Sequence, residues 1–189
     1  MTKEEVWQSL LQQIATCQAC GLSRNRKNPV PGEGSLEPAL MLVGEGPGAN
    51  EDLQGRPFVG EAGKLLDRLL AGIHLTRRDV FIGNTVKCRP PNNRAPTAEE
   101  LACCKPFLIA QIAWLQPKMI CVLGNSALNA LIGPQYSISK VRGQVLFIDG
   151  MHYMPTYHPA AALYRREVLS ILEQDFTILQ KWLKEKKKI

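Results

Sequence analysis

Short unbroken runs of hydrophobic residues recur along the chain, and they end in glycine or polar residues. The clearest are "ALMLVG" at 39–44 and "MICVLG" at 119–124, and related runs are "DVFIGNTVKC", "QVLFID" and "HYMPTYH". A continuous apolar run of this length is typical of a strand buried on both faces of a parallel sheet. The pattern predicts a strand in each of these places.

Segments with apolar residues at helical spacing lie before, between and after these runs. Two of them begin with a capping box, formed by Thr2 with Glu5 and by Thr97 with Glu100. Further helices are predicted in "AGKLLDRLLAGI", in "NSALNALIG" and after "HPAA". Strands that alternate with helices predict a three-layer α/β/α sandwich around a mostly parallel sheet.

The predicted fold brings three chemically rich segments to one edge of the sheet. Sites in open α/β folds lie at the carboxyl ends of the strands. The segments "GEGPG", "GNTVKC" and "TYHP" all begin there. We therefore expect them to share one site.

Length and composition are those of one folded domain. The chain has 189 residues, of which 45% are hydrophobic and 21% charged, so we expect a single domain over residues 1–189. The opening "MTKEEVWQSLLQQI" carries charge in every turn, and no run of 18 apolar residues occurs. These features predict a cytoplasmic protein without a membrane segment.

The net charge of +6 is weak evidence for a polyanionic partner. The last nine residues hold five lysines and one glutamate, and the rest of the chain carries only +2. A lysine-rich end is more often a solvated tail than a binding site. We expect residues 184–189 to form a basic, disordered tail.

Five of the six cysteines are candidates for metal binding. In a reducing compartment, thiols favour ligation, catalysis or burial over disulfides. Cys17 and Cys20 form a C-x2-C pair, Cys88 ends a predicted strand, and the fourth candidate is Cys103 or Cys104. Helical periodicity does not choose between the last two, because both faces of that helix are apolar. The pattern leaves a [4Fe-4S] cluster, zinc and no metal open.

The segment "GEGPGANEDLQGRPFVGEAG" contains six glycines in twenty residues. Its spacing matches neither the dinucleotide fingerprint nor the P-loop, which requires Gly-Lys-Ser/Thr. Taken singly, Glu45 and Glu51 suit solvated loop charges, Phe58 a core residue and His158 a structural histidine. Their placement at one edge of the sheet favours a functional site.

Five strings occur in a fixed order: "GEGPGANEDLQGRPFVGEAGKLL", "NTVKCRPPNNRAPTAEELACCKPFL", "LGNSAL", "KVRGQ" and "PTYHPAAALY", the last with one extra alanine. From about Cys17 to about Arg166 the chain resembles the family 4 uracil-DNA glycosylases, which carry a [4Fe-4S] cluster. The resemblance implies that family's fold, with a central, mostly parallel four-stranded sheet. It also implies a base-excision repair enzyme that flips uracil out of DNA and hydrolyses its N-glycosidic bond, leaving an abasic site.

The resemblance also implies the residues of the uracil pocket. Phe58 would stack on the flipped base, and Asn84 would pair with O4 and N3–H. His158 would donate to O2 of the leaving anion, and Glu45 would orient or activate water. Glu51 would exclude the C5 methyl group of thymine. The full pocket set is Gly44, Glu45, Gly46, Glu51, Phe58, Asn84 and His158.

The family's cluster ligands would fall on Cys17, Cys20, Cys88 and Cys104. Cys104 is chosen because the family's fourth cysteine precedes a Phe-Leu pair by two residues, here "KP". Cys103 would then occupy an ordinary helix position.

The partner implied by the resemblance is uracil-containing DNA, single- or double-stranded, bound by a monomer. "HPAAALYRRE" would be a loop that enters the minor groove, with Leu163 or Tyr164 as the wedge and Arg165 and Arg166 on phosphates. The family more often has Leu-Leu-Arg-Asn here, so the wedge is left between two residues. Further phosphate contacts are expected from Arg24, Arg26, Lys27, Arg89 and Arg94.

Two other classes of function compete with the glycosylase. One is a non-catalytic nucleic-acid adaptor that carries zinc or a cluster, in which the residues at the sheet edge only shape a groove. The other is a nucleotide-binding or phosphoryl-transfer enzyme, which the missing P-loop lysine disfavours.

Overall fold

The computed structural model describes residues 2–186, and its centre is a six-stranded sheet. The strands are β1 (Glu33–Gly34), β2 (Leu40–Gly44), β3 (Phe81–Asn84), β4 (Met119–Leu123), β5 (Leu146–Ile148) and β6 (Met151–Thr156). Their order is β1-β3-β2-β4-β6-β5. The inner four strands are parallel, and β1 and β5 are antiparallel edges. The predicted four-stranded centre is therefore present, and two short edge strands widen it.

Eight α-helices surround this sheet in the described residues. They are α1 (Lys3–Thr16), α2 (Ala49–Gln54), α3 (Glu61–Gly72), α4 (Ala98–Leu115), α5 (Asn125–Leu131), α6 (Ile138–Val141), α7 (Pro159–Tyr164) and α8 (Arg166–Lys186). The predicted capping boxes open α1 and α4. The short helices α2, α6 and α7 were not predicted, because they are too short to show a helical repeat of apolar residues.

The last helix extends into the segment predicted as a basic tail. α8 includes residues 184–186, and the remainder of that segment lies outside the described residues. None of the described helices is both long and apolar enough to cross a bilayer. The single-domain assignment over the whole chain stays a prediction.

Alternating side chains of the buried strands supply two separate cores, which confirms the three-layer sandwich. On β2, Leu40 and Leu42 pack with residues of α3 and α8. Met41 and Val43 point to the other face and pack with residues of α1, α4 and α5. A strand buried on both faces reads as an unbroken apolar run, as "ALMLVG" does.

One polar group lies inside the α8 side of the sandwich. Asp175 is fully buried and accepts hydrogen bonds from Thr156 Oγ1, at 2.6 Å, and from Arg142. Burial raises the pKa of this carboxyl group, and its two partners oppose that rise. The contacts join α8 to the end of β6 and to the loop before β5.

Replacing Asp175 with alanine leaves the Thr156 hydroxyl and the Arg142 guanidinium without their partner. Breaking such a buried pair costs about 3 kcal/mol, so we expect a loss of that size in the free energy of unfolding. Chemical denaturation measures it. Glu173→Ala, an exposed change on the same helix, is the control, and an equal loss in both variants would contradict the interpretation.

Candidate active site and cysteine hollow

A cleft of about 620 Å³ opens at the carboxyl edge of the sheet. Six of the seven predicted pocket residues line it, namely Glu45, Gly46, Glu51, Phe58, Asn84 and His158. The seventh, Gly44, ends β2 and pairs with Asn84 in the parallel ladder to β3. The fold thus brings residues more than 110 positions apart into one site.

Position 44, at the end of β2, accommodates only glycine. A Cβ atom there would lie 2.6 Å from Phe58 Cζ and 2.7 Å from Asn84 Oδ1. Both distances are shorter than any real contact, so a side chain at this position would displace the pocket residues.

Asn84 presents an acceptor without a partner. The residue is 1% exposed, and its Oδ1 has no hydrogen-bond partner among the described residues. A buried amide oxygen left unpaired costs about 1–3 kcal/mol. This oxygen is available to an N–H group of a ligand in the cleft.

Phe58 is held in an unusual backbone conformation beside His158. Its φ is 52°, in the left-handed region, and its ring stacks on the imidazole with centroids 5.5 Å apart. Arg77 donates to the carbonyl oxygens of Pro57 and Phe58. The backbone of Gly63 lies so close that a Cβ atom would be 1.7 Å from Phe58 O. The ring position is therefore set by backbone contacts.

The carboxylate of Glu51 joins the two ends of the glycine-rich segment. It accepts from the backbone N–H of Gly48 at 3.1 Å, of Val59 at 2.8 Å and of Gly60 at 3.0 Å. It thereby caps α2 and holds the residues that lead into α3. These observed bonds give Glu51 a positioning role, and its predicted contact with the C5 side of a base stays a prediction.

His158 is a neutral hydrogen-bond donor. Its Nδ1 accepts from Ala160 N at 3.1 Å, so the proton of the neutral ring lies on Nε2. Burial lowers the pKa of His158 to about 4, and the nearby Glu51 opposes this shift. Gly124, at φ 93°, makes room for the backbone and Cβ atom of His158, since a Cβ atom there would lie 3.0 Å from His158 Cβ.

Glu45 projects from a fixed turn at the end of β2. Its carbonyl oxygen accepts from Val86 N at 3.2 Å and from Thr85 Oγ1 at 2.5 Å. The next residue, Gly46, must be small, because a Cβ atom there would lie 2.7 Å from Val86 Cγ2. A rigid backbone thus carries a carboxylate at the edge of the cleft.

Most of the segment predicted as a DNA-entering loop forms the short helix α7, so its loop conformation was predicted wrongly, whereas its entry into DNA stays a prediction. Pro159 occupies the first position of α7, where its fixed φ favours a helix start. Leu163 and Tyr164 line the cleft and are 44% and 87% exposed. Arg165 and Arg166 follow and are exposed. Arg89, in a different loop, donates from Nε to Asn93 Oδ1 at 2.8 Å.

A second feature is a hollow on the other side of the β3 exit, here called the cysteine hollow. The thiols of Cys17, Cys20, Cys88, Cys103 and Cys104 line it, with Arg26 and Lys87. Among residues 2–186, no group of three or more His, Cys, Asp or Glu side chains has the arrangement of a metal-ion site.

The two adjacent cysteines differ in their surroundings. Cys104 is buried and packs with Leu22, Val86 and Cys88, whereas Cys103 is half-buried. The Cys104 thiol accepts from Lys87 N at 3.2 Å. Burial raises its pKa to about 11, and the positive charge of Lys87 opposes this rise. The structure thus separates two residues that periodicity left equivalent.

Sequence reasoning missed two contributors to the cysteine hollow. The Nη1 of Arg26 donates to Cys88 Sγ at 3.0 Å and its Nη2 to Ala15 O at 2.9 Å, and its predicted contact with DNA phosphates stays a prediction. Lys87, which the sequence pattern does not single out, is 1% exposed. Nothing in the local sequence distinguishes these two cations from solvated ones. Arg94 donates to both carboxylate oxygens of Glu100 through its Nη1 and Nη2, and its predicted phosphate contact stays a prediction.

The family model "Uracil DNA glycosylase superfamily" matches residues 31–184. The chain belongs to the uracil DNA glycosylase superfamily.

Its relatives point to one branch of that superfamily. The chain is 45% identical over 188 residues to the "Type-4 uracil-DNA glycosylase" of Thermotoga maritima, which covers 97% of this chain and 98% of the relative. It is 45% identical over 186 residues to the protein of that name from Saccharolobus solfataricus, covering 94% and 86%. The "Type-5 uracil-DNA glycosylase" of Thermus thermophilus is 33% identical over 150 residues, covering 69% and 68%. The resemblance to family 4 is confirmed.

The state of His158 can be measured directly. We expect its imidazole to stay neutral, with the proton on Nε2, until the pH falls to about 4. Because the unfolded chain takes up this proton near the ordinary pKa of about 6.5, His158 lowers stability as the pH falls below that value. Ring ¹⁵N NMR follows the titration, and His158→Gln assigns the signal. Protonation of the folded-state ring near pH 6.5 would contradict the expectation.

Proposed function

We propose that this chain is a uracil-DNA glycosylase of base excision repair. It flips uracil out of DNA and hydrolyses the N-glycosidic bond, leaving an abasic site. The observation that carries the proposal is the unpartnered Asn84 Oδ1 in a cleft that also contains an aromatic ring and a neutral histidine. The names of the Type-4 relatives support the same activity.

Asn84 selects uracil over cytosine. Uracil presents N3–H, which can donate to the free Oδ1, whereas cytosine has an unprotonated N3 that would face that oxygen lone pair to lone pair. The Asn84 oxygen lies close to Gly44, with which Asn84 pairs in the parallel ladder. A site built to pair with an N–H group rejects a ligand that lacks it.

The reaction places negative charge on the base. When the bond between uracil N1 and C1′ breaks, its electron pair stays on N1 and is delocalised to O2. His158 Nε2–H donates to that oxygen, and a neutral donor suits an anion that leaves without being protonated first. Phe58 covers one face of the flipped ring. The rings of Phe58 and His158 stack on each other in the structure.

Glu45 acts on the sugar side of the bond. Its carboxylate orients a water molecule toward C1′ and accepts the proton that the water loses as its oxygen bonds to that carbon. The same negative charge stabilises the cation-like sugar. The fixed turn beneath Glu45 limits its movement.

The cysteine hollow suits a [4Fe-4S] cluster held by Cys17, Cys20, Cys88 and Cys104. Four thiols from three chain segments are the donor set that such a cluster uses, and all four line one hollow. When bound, the cluster serves as a structural crosslink and does no redox chemistry in base removal. Burial of Cys104 and its bond from Lys87 N favour it over Cys103 as the fourth ligand.

The face around the cleft binds DNA. Leu163 or Tyr164 fills the space left by the flipped base, and Arg165, Arg166 and Arg89 contact phosphates. The exposure of the two apolar side chains beside the cleft supports this role. The monomeric state and the cytoplasmic location stay predictions.

Incubation with a uracil-containing duplex followed by alkali tests the proposal, because alkali breaks the strand at an abasic site. We expect breakage with the native protein and roughly 100-fold slower reaction with Gly44→Ala, since displaced pocket groups lose their alignment. Gly72→Ala is the control, because a Cβ atom there has nothing within 4 Å. No strand break with the native protein would instead favour a non-catalytic adaptor.

The choice of the fourth ligand has its own test. We expect Cys104→Ser to lose the brown colour and most of the iron, whereas Cys103→Ser keeps both, because Cys104 is buried in the cysteine hollow and Cys103 is only half-buried. Visible absorption and iron analysis measure the result. The opposite pattern would assign the ligand to Cys103.

A further inference from the structure

We propose that Arg26 and Lys87 are the counter-charges that retain the anionic cluster in the cysteine hollow. The inference rests on the cluster put forward under the proposed function. It concerns two residues that do not themselves line the cleft, and it assigns them a joint role.

Arg26 is oriented toward a cysteine. Its Nη1 donates to Cys88 Sγ at 3.0 Å, and its Nη2 is tied to Ala15 O at 2.9 Å. The bond to Ala15 O anchors the guanidinium at the end of α1. The bond to Cys88 Sγ therefore points into the cysteine hollow. A charged donor to sulfur favours the thiolate, which is the form that binds iron.

Lys87 is a buried cation with little to balance it. The residue is 1% exposed and lines the cysteine hollow. Its ammonium group donates to Asn84 O, at 2.9 Å, and that carbonyl oxygen carries no full charge. Burying an ammonium group without an opposite charge is costly.

Acidic side chains do not supply the missing charge. Across residues 2–186, no carboxylate forms an ion pair with Arg26 or Lys87. A cluster with four thiolate ligands carries net negative charge, because the thiolates outweigh the positive charge of the iron–sulfur core. Two cations and this anion at one hollow therefore offset each other in a low-dielectric setting.

Lys87 also connects the two sites. Its backbone N–H donates to Cys104 Sγ at 3.2 Å, while its ammonium group holds the carbonyl of the residue that reads the base. The cation that balances the cluster therefore also steadies the end of β3.

The test uses the iron-loaded protein and the neutral variants Arg26→Met and Lys87→Met. Changes to groups that contact metal ligands typically weaken metal binding 10- to 100-fold, so we expect iron release to a chelator to be roughly 10- to 100-fold faster in each. Arg24→Met is the matched control, because Arg24 is exposed in the same loop. Arg26→Lys keeps the charge and should restore most of the retention.

The reduction potential of the cluster separates charge from packing. Losing a nearby positive charge disfavours the more negative reduced cluster. We therefore expect a lower potential in Arg26→Met and Lys87→Met but not in Arg26→Lys or Arg24→Met. If Lys87→Met does not fold, the Arg26 series decides.

The outcomes can be told apart. If both neutral variants show the same rate of iron release and the same reduction potential as the Arg24→Met control, this inference is overturned. The assignment of the cluster itself would still stand. Native protein that binds no iron–sulfur cluster would overturn the cofactor itself, and the inference with it. Strand breakage by alkali reports on the glycosylase activity independently of both.

Discussion

Parallel pairing of β2 with β3 is the constraint on which both sites depend. It sets Gly44 beside Asn84, and the chain leaving β3 stays bonded to the end of β2 through Thr85 and Val86. Two residues later Cys88 enters the cysteine hollow. Because this run is so short and so fully bonded, the cleft and the cysteine hollow are two sides of one rigid segment.

Charged side chains organise the glycine-rich segment by satisfying its backbone. Glu51 accepts three N–H groups at the starts of α2 and α3, and Arg77 donates to the carbonyls of Pro57 and Phe58. The neighbouring Asp52 accepts from Lys27 N at 2.9 Å and so attaches the loop of the C-x2-C pair. Glycines allow these backbone segments to approach each other closely. The hydrogen bonds of the charged side chains then restrict the backbone conformations that glycine would otherwise permit. A flexible composition therefore yields a preorganised pocket.

Much of the fold could be predicted from the chain alone, and some of the site could not. The unbroken run ending at Gly44 and the capping box at Thr97 are local patterns, and both formed as expected. α7 was missed because a six-residue helix begun by Pro159 has no apolar period to detect. The contacts of Glu51 with Val59 and Gly60 were not predicted, because they are set by a turn that no periodicity describes, and its role toward the base stays a prediction.

From the sequence alone, one could predict the strands β2 to β6, the helices α1, α3, α4, α5 and α8, the family motifs and a shared edge of the sheet for the proposed site residues. These follow from interactions between residues a few positions apart, together with the rule that parallel strands end on one side. The tertiary structure was needed to show which thiol of the Cys103 and Cys104 pair is buried and which cations lie beside the cysteines. The reason is that burial and charge pairing depend on neighbours far along the chain, as Arg26 and Cys88 are, 62 residues apart.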